Sequence, residues 1–205
     1  MSATFTATTV SNPAGVQGTY SQRLVVGHEG MIADLQAYVT RSYRNQSGAA
    51  LPFGVLAMTD NNPTSNDPYA IEIATGASGI VGLVVDTLTN EGTNLGTNTY
   101  TPNPTPFYSD GRPGYADGQT VNILSKGVVW VYTTEAVALG DAVRFWDTAY
   151  SGTVTGALLG RFCKTASGTR TTAITAGARW LSETSAAGLV LLEIDLPAAT
   201  FTADT

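Results

Sequence analysis

Charge is scarce in this chain: only 13% of its 205 residues are Asp, Glu, Lys or Arg, about half the ~25% usual for soluble proteins. The ten basic residues are scattered, and the formal net charge is −6. That leaves no Lys/Arg run to neutralise phosphates, which excludes an electrostatic footprint for DNA or RNA. Binding to an anionic membrane is disfavoured for the same reason. Cysteine occurs once, as Cys163, so no intramolecular disulfide can staple the fold. The expected role of that thiol is a small buried hydrophobe on a strand. Histidine also occurs once, as His28. No apolar run approaches the ~20 residues that a membrane-spanning helix needs. Residues 1–20 show neither a basic nor an apolar signal region, so the expectation is synthesis in a cytoplasm without general export.

In place of charge stand 31 threonines and 22 glycines. Threonine is β-branched and polar, so it can face water on a strand without carrying charge. The densest apolar stretch lies within Gly118 to Asp147, with two of the three tryptophans and the run Val128 to Tyr132. Gly118, Gly127 and Gly140 punctuate it, and the reading is strand, turn, strand, turn, strand.

The rest of the chain follows the same grammar. Residues 30–44 alternate, with Ala33, Leu35, Ala37 and Val39 on one side, which favours a strand over a short helix. Leu51 to Thr59 reads as a buried strand entered through Pro52. Tyr69 to Ala74 alternates, with Tyr69, Ile71 and Ile73 on one face and Glu72 on the other. Ile80 to Leu88 and Leu158 to Thr165 read as strands. Ser167 to Gly177 reads as a polar loop and Ala178 to Ser182 as a short element. In Gly188 to Leu196, Val190, Leu192, Ile194 and Leu196 should face inward, with Glu193 and Asp195 toward water, and Pro197 should stop the strand. The sum is a mainly β fold, a barrel or sandwich of about nine or ten short strands.

Three segments lie outside that core. Residues 1–26 form an extended arm whose first 22 positions hold no charged side chain. It is either a tail or a strap that orders on a neighbour. Residues 90–114 form a Pro-rich insert, with Pro102, Pro104, Pro106 and Pro113 denying it a ladder. Residues 198–205 form a small C-terminal tail. The single β-rich domain runs from 27 to 197.

Sites for chemistry are few. A zinc protease helix needs H-E-x-x-H, but His28-Glu29 is followed by Gly30 and no second histidine exists. The default for His28 is a turn residue. Asp60, Asn62, Asn66 and Asp67 crowd one loop without EF-hand spacing. Gly111-Arg112-Pro113-Gly114 lacks the Lys-Ser/Thr ending of a phosphate loop, and no nucleophile elbow is present. No catalytic, cofactor or metal residue is assigned. Trp130, Trp146 and Trp180 could stack on sugar rings, but in β-domains such residues more often anchor a core or a subunit interface. The candidate interface residues are Phe5, Val10, Val16 and Tyr20 of the arm, Tyr100, Phe107 and Tyr108 of the insert, and the three tryptophans.

Two long stretches carry a family resemblance: GMIADLQAYVTRSYRNQSGAALPFGVLAM at 30–58 and YADGQTVNILSKGVVWVYTTEAVALGDAVRFWDTAYSGTVTG at 115–156. With the closing LLEIDLP strand, their ordered set resembles the structural cement, or capsid decoration, proteins of tailed bacteriophages. It spans about residues 27–197, and none of its motifs is catalytic. The resemblance implies a non-enzymatic β protein on the outer capsid surface, often trimeric, clamping adjacent major capsid subunits. Its partners would be the major capsid protein and its own copies, with no nucleic acid, membrane or cofactor. The alternative is a carbohydrate-binding or adhesin-type β module; a small hydrolase built on His28 and Glu29 is a third.

Overall fold

The computed structural model describes residues 27–34, 38–60, 67–86, 112–148 and 158–205. These hold thirteen strands: β1 (Val39–Asn45), β2 (Leu51–Pro52), β3 (Leu56–Thr59), β4 (Ala70–Ile73), β5 (Ile80–Val84), β6 (Gly114–Tyr115), β7 (Thr120–Thr133), β8 (Val143–Trp146), β9 (Phe162–Cys163), β10 (Thr171–Ala176), β11 (Ala178–Trp180), β12 (Gly188–Asp195) and β13 (Thr200–Ala203). One described 3-10 turn, Leu196–Ala198, follows β12.

β7 organises them. Its fourteen residues run without interruption through Gly127, so the strand–turn–strand reading of this stretch is corrected. Gly127 bends the strand instead of ending it. Its φ of +143° suits glycine, and a Cβ there would come within 2.9 Å of Tyr38 Cβ. Beside it the register against β1 slips between Val39 and Thr40, the mark of a bulge that kinks and twists a strand.

The two halves of β7 serve two sheets. Its first half pairs with β1 on one edge and β5 on the other. β5 continues to β3, β3 to β4, and β4 returns to β1 in parallel, which closes a five-stranded barrel. Its second half pairs with β12 along eight residues, and β12 with β11. At Thr133 β7 meets β9, from which the sheet runs through β8 and β10 to β13.

Two apolar cores result. Val55, Ala57, Ile71, Ile73, Val84, Val121 and Ile123 fill one. Leu56, Met58, Leu83, Val85, Leu124, Val129 and Val131 join Phe145, Phe162, Trp180, Val190, Leu192 and Ile194 in the other. Adjacent residues of β3 and β5 therefore go to different cores, and both faces of these strands are buried. That explains their continuous apolar spelling.

Several local expectations are corrected. Val39–Asn45 is a strand, but the ladder begins later than residue 30; among the described residues before it Ile32 bridges Val129, and Leu35 and Ala37 lie outside the described residues. Leu51 to Thr59 is two strands, broken where Gly54 takes φ +72°. Tyr69 precedes β4 and is 62% exposed, whereas Ile71 and Ile73 are buried as expected. The strand expected over 158–165 shortens to Phe162–Cys163. Leu196 packs half-buried against the core as expected, but from the 3-10 turn that it opens and not from the strand.

The Thr-rich stretch expected as a loop contains β10. Carboxylates accept its buried hydroxyls: Thr172 donates to buried Asp147 at 2.6 Å and Thr171 to half-buried Asp204 at 2.6 Å. Arg144 completes the cluster, 3.1 Å from Asp204. Paired in this way, buried polar groups no longer oppose folding. The expected C-terminal tail contains β13, which pairs with β10 and sets Phe201 edge-on to Phe145 at 6.4 Å.

Deleting residues 200–205 strips β10 of its edge partner and removes Asp204 from Arg144 and Thr171. The expected outcome is a fall in thermal midpoint of about 4 °C or more, the response to a loss of a kcal/mol or two at this size. An unchanged midpoint in calorimetry would return the segment to the status of a tail.

Candidate functional site

The three tryptophans separate by depth. Trp146 is buried beside Cys163, with its Nε1 donating to Thr134 Oγ1 at 3.3 Å. Trp180 is buried against Phe162, edge-on at 6.4 Å, and donates to the Ala142 carbonyl at 3.2 Å. Both serve the core of their own chain. Trp130 stands half-buried on the opposite face of β7. Phe5, Val10, Val16, Tyr20, Tyr100, Phe107 and Tyr108 lie outside the described residues.

The face that carries Trp130 has an apolar middle. Cross-strand partners share a face. Leu191 of β12 stands opposite Trp130, and the Leu181 N–H donates to the Leu191 carbonyl at 2.9 Å. Leu189 stands opposite Tyr132 in the next row. On the far side of Trp130, its N–H donates to the Met31 carbonyl at 2.9 Å. Leu181, Leu189 and Met31 are exposed to 38, 37 and 37%. Residues 189 and 191 were a legible signal: on an alternating strand they occupy the positions where water-facing polar groups are expected. Attention to Glu193 and Asp195 hides them.

Charge borders this face. Arg179 pairs with Glu193, and Lys126 with Asp195 at 2.6 Å. At the other end the Arg161 guanidinium lies 4.1 Å from the Tyr132 ring centre and 3.3 Å from Glu29.

His28 and Glu29 part company. His28 is exposed, its Nε2 2.9 Å from Asp86, while Glu29 is held by Arg161. The pair therefore does not converge on one reacting atom, as shared acid–base work requires. Near Cys163, Glu135 accepts the backbone N–H groups of Lys164 and Thr165 at 2.9 and 2.8 Å. Asp141 accepts the Ala138 N–H at 2.9 Å and pairs with Lys164 at 3.1 Å; those bonds hold its carboxyl below the ordinary value. Burial, with Glu135 adding to it, pushes the Cys163 thiol up to about 12. A thiol so placed is a packing residue and not a nucleophile. Among the described residues no group of three or more His, Cys, Asp or Glu side chains could hold a metal. No helix among them is long and apolar enough to cross a membrane.

Comparison with known proteins gives this arrangement a context. The family described as structural cement protein (E217 gp24/Pam3 gp6) matches residues 16–195. The fold is similar to that of a chain in the solved capsid of Myoviridae phage XM1, with a TM-score of 0.55 over 87% of this chain and 96% of that one. Identity there is 14%, so the likeness speaks to the fold alone. No curated protein matches the sequence.

Two solution tests follow. In the native protein at pH 8, Cys163 is expected to resist a thiol reagent and to react fully in denaturant. Because its folded pKa lies above the unfolded value, its contribution to stability is complete below about pH 9 and declines as pH rises toward 12. Fast native labelling would contradict the burial.

Proposed function

The chain belongs to the phage structural cement protein family, and from that premise we propose that it binds the outer surface of the major capsid shell as trimers. There it ties adjacent capsid subunits together and braces the DNA-filled head. The observation that carries this reading is the family match along residues 16–195, which takes in every described strand except β13. The physical character of the chain supports it. A net charge of −6 suits a surface turned away from DNA. A single buried cysteine leaves no disulfide to supply durability, and binding that favours the folded state adds stability by mass action. Trimers close by rotation, as homo-oligomers commonly do. Cement needs area, of which a specific interface takes at least about 1,000 Å², and it needs no reaction.

The carbohydrate-binding alternative has less to work with. Trp146 and Trp180 are buried, which leaves Trp130 alone as a stacking platform among the three.

Cryo-electron microscopy of particles tests the proposal. The expected result is density for this chain on the capsid exterior at three-fold or quasi-three-fold positions; density confined to the tail would overturn it. Deleting residues 2–20 is expected to leave the β-domain folded by circular dichroism and to weaken attachment to capsids. Unchanged attachment would remove the arm from the reading.

A further inference from the structure

Solvent-facing sheets normally alternate apolar and polar residues, but β12 and β7 are apolar on both sides in their central rows. Inward, Val190, Leu192, Val129 and Val131 make the core. Outward, Leu189 and Leu191 stand with Tyr132 and Trp130, and Leu181 extends the row. Contiguous apolar area of this kind marks a contact surface.

One part of the chain already touches this face. Gly27 is buried, and a Cβ at that position would fall 2.5 Å from Trp130 Cδ1. Its backbone therefore lies on the indole, at a distance only glycine permits. The 26 residues that precede it arrive at this point. The first 22 of them hold no charged side chain, and Phe5, Val10, Val16 and Tyr20 are spaced along them. A strap uncharged up to Arg23 and studded with apolar groups matches a face whose charges are confined to its borders.

Reach decides whose face it covers. Three strands at roughly 4.8 Å spacing make a surface about 10–15 Å wide. About four extended residues cross that width, whereas 26 span up to about 85 Å. The segment outruns its own sheet several-fold. We propose that residues 1–26 of each copy dock across the Leu181–Leu191–Leu189 face of a neighbouring copy, beside its Trp130, and so link the copies head to tail. Such a heterologous contact closes into a ring when the rotation permits. The inference deepens the assembly reading above by naming its self-interface, and it is tested on purified protein without capsids.

Because Cys163 is buried and its thiol inert, an introduced pair is the reactive one. Leu189→Cys is combined in turn with Phe5→Cys, Val10→Cys, Val16→Cys and Tyr20→Cys, and each double variant is oxidised at low micromolar concentration. At least one pair should give a chain-to-chain ladder on a non-reducing gel, beyond that of Leu189→Cys alone. In light scattering, Leu181→Asp combined with Leu189→Asp should shift the protein to a smaller species with unchanged circular dichroism. Cross-links found only within one chain would overturn the proposal. So would the absence of any ladder beyond the control, or an oligomer that survives both aspartates. A monomeric chain that still decorates particles would sink this inference and the trimer with it but leave binding to the capsid standing; a ring that never binds particles would do the reverse.

Discussion

One strand with both edges paired and side chains in both cores holds this molecule together. β7 closes a five-stranded barrel with its first half and founds a second sheet with its last half. Its side chains enter both cores, Val121 and Ile123 on one side and Leu124, Val129 and Val131 on the other. No other described strand pairs with four partners. The bend at Gly127 is the hinge of this design, since a straight strand could not leave a closed barrel and line another sheet. The local bulge and the positive φ express one requirement: the ladder must turn without breaking.

Polar satisfaction does for the second sheet what apolar burial does for the barrel. Asp147, Asp204 and Arg144 sit among threonines, and the buried hydroxyls of Thr171 and Thr172 each have a carboxylate to bond. A charge-assisted bond of this kind is about twice as strong as a neutral one. It also fixes direction, because Thr171 and Thr172 reach two different acids from adjacent positions of β10. A chain with few charges has placed several of them inside, and its exterior relies on threonine. In the rows around Trp130 that exterior turns apolar, a departure from the usual alternation. The family to which the chain belongs is one of structural cement proteins.

Alternation and apolar runs made the β class, most strand positions and the inward set of β12 readable from the sequence alone. Ile71 and Ile73, Val190, Leu192 and Ile194 are all buried where period two places them. The ordered motifs at 30–58 and 115–156 made the family readable. The misreadings share one cause. A glycine inside a strand and a glycine at a turn look alike in sequence, so Gly127 reads as an end and Gly54 as ordinary strand. Threonine spells loop when its hydroxyl must find water, and strand when an acid waits across the sheet. Asp147 and Asp204 lie 25 and 33 residues from their threonines, beyond any local window.

By itself, the sequence determined what each segment can tolerate: strands instead of helices, no disulfide, no metal cluster of ordinary spacing, and little charge to spend outside. Only the tertiary structure decided which residues meet. It sent neighbouring side chains of β3 and β5 to separate cores and paired the C-terminal residues with β10. It also divided three similar tryptophans into two that fill the interior and one that faces out beside Gly27. The physical reason is range. Propensity and periodicity act over a few residues, whereas burial, pairing and charge satisfaction are settled between partners that the chain brings together only when it folds.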